Sequence, residues 1–142
     1  MPNLRVTTAA DSHDLTTLAD VKQELEITDG SEDARLSRWI AQASAAVYGH
    51  CSCVFISEAV TETFDLKSCS DYLFLSRYPV TAIASITEDG VAVDAADYDY
   101  NAANGLVQRL RSSRVSQWPV ARIVVAYTGG YAFADLPQDI QG

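Results

Sequence analysis

Histidine and cysteine are scarce in this chain. It carries two histidines, His13 and His50, and three cysteines, Cys51, Cys53 and Cys69. An odd cysteine count, with acids and no apolar leader core in Met1 to Asp20, points to reduced thiols and no signal peptide. The stretch His50-Cys51-Ser52-Cys53 has metal-ligand chemistry, and Cys69 would bring the ligand count to four. Its C-x-C spacing suits one tetrahedral zinc poorly, so small thiols at a helix end are the plainer account. The chain also lacks a G-x-S-x-G, an H-E-x-x-H, a Walker loop and a G-x-G-x-x-G. No enzyme, metal or cofactor is expected from it. No apolar run approaches the roughly 18 residues a membrane-spanning helix needs, so no membrane is expected either.

Positive charge is the next shortage. Ten Lys and Arg stand against nineteen Asp and Glu, for a net charge of -9. Gripping nucleic acid needs clustered cations against phosphate, and this body argues against it. The deficit is uneven. From Tyr100 to Ala134 there is no acid at all, and that stretch holds Arg109, Arg111, Arg114 and Arg122. A basic island on an acidic body is a way to steer one copy of the chain head-to-tail onto another. The plainer reading is an Arg-rich, solvated strand and loop. What the chain does have is apolar material. At 142 residues and 48% hydrophobic, it can bury a core without staples.

Two helical patterns come first. Thr17 is an N-cap with Asp20 three residues on, and Leu18, Val21 and Leu25 share a face to about Glu26. Thr28-Asp29-Gly30 is the break, with Gly30 free to take positive φ. Ser31 is the next cap, ahead of a helix from about Glu32 to Tyr48 that Gly49 ends. Leu36, Trp39, Ile40, Ala43, Ala46 and Val47 form its apolar stripe, which makes Trp39 a core residue first. From Val54 the period becomes two. Val60, Glu62 and Phe64 alternate with threonines, Asp89-Gly90 signals a hairpin, and Arg122 to Tyr127 is the most β-branched strand. Ser112 to Pro119 reads as a loop, and Gly129-Gly130 as a strand exit. Asp135-Leu136-Pro137 has the grammar of a helix start, yet the given chain stops at Gly142.

The expected fold class is therefore α+β: an N-terminal antiparallel helix pair plus a small antiparallel β-sheet region, with a C-terminal helix start that is cut short. All of it is expected as one domain. Residues 1–14 are a flexible arm, 15–50 the helical part, 54–127 the β part and 128–142 a C-terminal tail.

The order of these pieces carries a likeness. Ser31-Glu32-Asp33-Ala34-Arg35-Leu36 opens the second helix, and Leu75-Ser76-Arg77-Tyr78-Pro79-Val80 lies in the β region. The chain closes with Val124-Val125-Ala126-Tyr127-Thr128-Gly129-Gly130-Tyr131 and Ala134-Asp135-Leu136-Pro137-Gln138-Asp139-Ile140. In order and spacing, from about Leu15 to Ile140, this closely resembles the head–tail connector (adaptor) proteins of long-tailed double-stranded-DNA phages and gene transfer agents. The resemblance implies a structural, non-enzymatic virion protein at the neck, assembled in the cytoplasm of a bacterial host. It implies a ring, typically of twelve subunits, between the portal and a tail-side stopper or tail-terminator protein. DNA passes through its channel without specific binding. In that family a C-terminal helix packs with the first two, so here the stripe of the second helix awaits another cover, from the sheet or a neighbouring subunit.

On this reading Arg109, Arg111, Arg114 and Trp118 are candidate subunit or partner contacts, since Trp and Arg are enriched among interface anchors. Trp118 as a plug at the end of the sheet is the alternative. Tyr131 and Phe133, beside the glycine pair, are a second candidate contact. A monomeric cytosolic module that binds a ligand or peptide is the competing function.

Overall fold

The computed structural model describes residues 3–51 and 54–137. Its elements run β1 (Asn3–Thr8), α1 (Leu18–Glu24), α2 (Asp33–Cys51), β2 (Glu58–Asp65), β3 (Tyr72–Phe74), β4 (Val80–Glu88), β5 (Val91–Ala92), β6 (Tyr98–Asn101), β7 (Leu106–Arg111), β8 (Arg114–Ser116) and β9 (Arg122–Gly129). Five strands form one antiparallel sheet in the order β1-β2-β9-β4-β5, and β3-β7-β6 form a second, with β8 also paired to β7. This corrects the α+β expectation of a helix pair with a small sheet. Nine strands dominate the described residues, and the fold is mostly β. Part of the miss is β1, placed where an arm was expected. It is an edge strand paired to β2, with Leu4 and Val6 alternating with polar residues; only Leu4 packs on the core, so its apolar signal is just two residues long.

The first sheet is organised around β9. Ile123, Val125 and Tyr127 point inward at period two and pair across to Phe64, Glu62 and Val60 of β2. On β4, Ile83 and Ile86 lie three apart, which strict alternation would send to opposite faces. A register shift between Ile83 and Ser85 adds the extra residue that brings Ile86 into the core. Leu73 and Val107 of the second sheet, with Leu75 and Trp118, close the same core from the other side. Burying such side chains contributes about 1.5–3 kcal/mol each.

Turn chemistry follows the sequence at two places. Asp89 and Gly90 both take positive φ, as a two-residue hairpin requires. Gly129 sits so close to the Arg77 loop that an added Cβ would lie 2.5 Å from the Arg77 carbonyl oxygen, and Gly130 has φ 113. Beyond the pair, Tyr131 bridges in parallel to Ile56. The segment from Ser112, expected as a loop, instead turns tightly from β7 into β8. Ser112 and Ser113 both take positive φ there, at 52 and 63.

The helices depart from expectation in detail. Thr17 Oγ1 accepts from the Asp20 amide at 3.1 Å, the foreseen cap. In the break it is Glu26, not Gly30, that goes left-handed, with φ 56. Ser31 turns back, donating to Asp29 Oδ1 at 2.6 Å, and α2 begins at Asp33. The second helix also runs through Gly49 to Cys51. Its buried face is Leu36, Ile40 and Ser44, where the Ser44 hydroxyl accepts from the Leu15 amide at 3.0 Å. Trp39 is no core residue; it is 54% exposed. A 3₁₀ turn at Phe133–Asp135 precedes the expected C-terminal helix, and Leu136 is buried against Leu15 and Ile56, while the positions into which that helix would run fall mostly outside the described residues. The positions after Pro137, and Cys53, lie outside the described residues. Among the described residues no helix is long and apolar enough to cross a membrane.

Candidate subunit interface

The six candidate contacts separate into three groups. Trp118 is fully buried, and its indole N–H donates to the Val107 carbonyl at 3.2 Å. Arg109 lies over its ring, 5.8 Å from guanidinium carbon to centroid. It is itself buried, with Nε donating to Glu88 Oε1 at 2.6 Å and Nη1 to the Asp97 and Leu110 carbonyls. The expectation that these two anchor a partner is corrected: they seal the second sheet onto the core, because both aromatic face and charge are already satisfied inside the chain. Arg111 and Arg114 differ. They pair across the β7–β8 turn, are exposed, and have no ion-pair partner among the described residues. Tyr131 is half-buried in the cluster around Leu15, and Phe133 is exposed on the 3₁₀ turn beside it.

Sequence reasoning missed the polar network behind these surfaces. Glu62 is fully buried on β2. It accepts from the Tyr127 hydroxyl at 2.7 Å, from the Ser76 hydroxyl at 2.6 Å and from the Ser76 amide at 3.0 Å. The Tyr127 oxygen in turn accepts from the Arg77 amide at 3.1 Å. Burial, and then the neighbouring carboxylate, push the Tyr127 hydroxyl far above its ordinary pKa. One turn of sheet away, Glu58 binds Arg77 Nη1 at 3.1 Å and His13 Nε2 at 2.7 Å. Burial works against its charge, but those hydrogen bonds outweigh it and hold the carboxyl below its ordinary 4.5. Together the two glutamates clamp the 75–79 loop, and Glu58 adds the segment before α1. The period of β2 put Glu62 on the inner face; its partners lie 14 and 65 positions away, beyond any local pattern.

A second surface is apolar. The helices α1 and α2 leave an open groove lined by Leu15, Val21, Leu36, Ile40, Ala43 and Val47, with Leu25 and Trp39 on its lips. Leu25 is 56% exposed. The face of the second sheet away from the core also carries apolar side chains. Phe74 and Tyr72 touch there, and Val115 is 69% exposed. Among the described residues no cluster of three metal-ligating side chains exists. Cys51 ends α2 and Cys69 lies in the β2–β3 loop, both as exposed free thiols.

Buried charges thus act as internal clamps, and exposed apolar surface lies beside them. The family model described as head completion protein matches residues 14–141. The chain belongs to that family. Solved structures agree on the fold. A chain in the neck of an empty gene transfer agent particle, computed with C6 symmetry, superposes with a TM-score of 0.66 at 22% identity, covering 96% of this chain and 76% of that one. A chain of the native gene transfer agent virion gives 0.66 at 21%, covering 96% and 76%. One from the native neck, computed with C12 symmetry, gives 0.65 at 21%, covering 96% and 75%. No curated protein matches.

Proposed function

We propose that this head completion protein is a structural subunit of a ring at the head–tail junction of a phage-like particle. The ring, of twelve copies, sits between the portal and a tail-side stopper or terminator and prolongs the DNA channel. The family match over residues 14–141 carries the reading. The likeness to chains from particle necks computed with C6 and C12 symmetry supports it. The charge supports it as well. A body of net charge -9 repels phosphate, which suits a channel that DNA slides through and does not stick to. Its work is mechanical, carried by shape and contacts rather than bond chemistry.

Native mass spectrometry and electron microscopy of the purified chain, alone and with its portal, test this. A discrete twelve-membered ring is the expected species. A chain that stays monomeric with portal and tail-side partners present contradicts the reading and favours the lone binding module.

A further inference from the structure

A closed ring of identical subunits needs a heterologous interface, in which two different patches of one chain fit each other. The two sheets close on one core, so their outer faces lie on opposite sides of the molecule. These faces differ in bulk. In the second sheet Leu73, Val107 and Arg109 are buried inward, so period two and register send Tyr72, Phe74, Leu106, Leu110 and Val115 outward. Tyr72, Phe74 and Val115 are exposed. In the first sheet Val60, Glu62, Val125 and Tyr127 point inward. Its outer face is Ala59, Thr61, Thr63, Val124, Ala126 and Thr128, all of valine size or smaller and half-buried. Large groups on one face and small ones on the other let two such faces interdigitate. The helix pair docks elsewhere, through Val47 and Tyr48 on the cluster of Leu15, Ile56 and Leu136.

Charge fixes the register. Arg5 of β1 stands exposed on the small-residue face, paired in register with Thr61, and has no ion pair among the described residues. At the far end of that face Asp65 and Arg122 neutralise each other at 2.9 Å. On the bulky face a shallow hollow is lined by Asp99, Asn101, Leu106 and Gln108. Asp99 is exposed there; it accepts the Tyr100 amide at 2.9 Å and has no ion pair among the described residues. A carboxylate beside amide oxygens is a set of acceptors for a guanidinium. The spacing agrees. Arg5, Thr61 and Ala126 form one cross-strand row, and Asp99, Gln108 and Tyr72 form another. Each row crosses two strand spacings, about 10 Å. With Arg5 beside Asp99, Tyr72 comes to lie over Ala126.

We infer that the outer face of the second sheet of one copy stacks on the outer face of the first sheet of the next, with Arg5 in the Asp99 hollow and Tyr72 and Phe74 over the Ala126 strand. This rests on the ring reading and deepens it by naming both halves of the subunit contact. Arg5 and Asp99 are exposed, so exchanging them leaves the fold intact, as circular dichroism of each variant checks.

The test places a benzophenone amino acid at Phe74 and irradiates the assembled species. Mixing isotopically light and heavy chains beforehand separates links between copies from links within one. Cross-links from position 74 to β2 and β9 of another copy are the expected result. Charge exchange supplies the second arm. R5E and, separately, D99R are each expected to weaken assembly roughly tenfold or more, and the double exchange to restore it. Cross-links between copies that map elsewhere in an intact ring overturn the inference and leave the ring reading standing. Links confined to one copy in an intact ring do the same, since the face is then covered by its own chain. Failure of the double variant to recover also overturns it. If the wild-type chain forms no higher species even with its portal, both readings fall together.

Discussion

The paired sheets and the helix pair solve opposite problems. In the sheets every large buried group has an internal partner: Trp118 has the Val107 carbonyl, Arg109 has Glu88, and Glu62 has Tyr127 and Ser76. In the helix pair a tryptophan and a leucine stand more than half exposed over an apolar floor. Stability resides in the core between the sheets, while unsatisfied apolar surface lies over the helix pair and again on the outer face of the second sheet. A chain that must fold alone and then join a particle needs both, because surface fully satisfied within the monomer has nothing left for a neighbour.

The contrast breaks most directly at the two tryptophans. Trp118→Ala removes a fully buried ring and leaves Arg109 without its platform. Its expected cost is about 3–5 kcal/mol in chemical denaturation. An effect within 0.5 kcal/mol would show that the sheet core is not where stability resides. Tyr127→Phe comes next. It takes one donor from a buried carboxylate and should cost about 1–3 kcal/mol, with the fold retained in circular dichroism.

Glu58 sharpens the contrast by pH. Its folded pKa lies below its ordinary value, so its contribution is fully present above about 4.5 and fades as the pH falls through the depressed folded value. Glu58→Gln is therefore expected to flatten the acid limb of the stability–pH curve, read from thermal melts between neutral pH and pH 3. An unchanged slope would mean the His13–Glu58–Arg77 contacts add nothing. The smallest effect is expected at Trp39→Ala, within about 0.5 kcal/mol for the isolated monomer. A cost comparable to that at Trp118 would mean the helix pair is as closed as the sheets.

Much of the fold was legible where the sequence is periodic and local. The Thr17 cap, the Asp89-Gly90 hairpin, the inward row Val60, Glu62 and Phe64, and the strand exit at the glycine pair all follow from neighbouring residues. Edge and turn were harder. Strand β1 offers only the pair Leu4 and Val6, of which Leu4 alone packs on the core, and the Ser112-Ser113 turn uses residues with no preference for positive φ, so both leave a faint local sign. The interface candidates show the same limit. Arg109 and Arg111 are two apart on one strand, yet the first faces the core and the second ends at the hairpin tip in solvent.

By itself the sequence determined the helix pair ahead of a β region and the acidic body with its basic island, because capping, periodicity and charge are properties of adjacent residues, and the order of its segments carried the family resemblance. Only the tertiary structure decided that the sheets outweigh the helices and that Trp118 is core while Trp39 is surface. It alone brought Glu58 and Glu62 to the 75–79 loop. Burial is settled by which distant segment covers a residue, and two tryptophans on amphipathic elements are alike until that cover is in place.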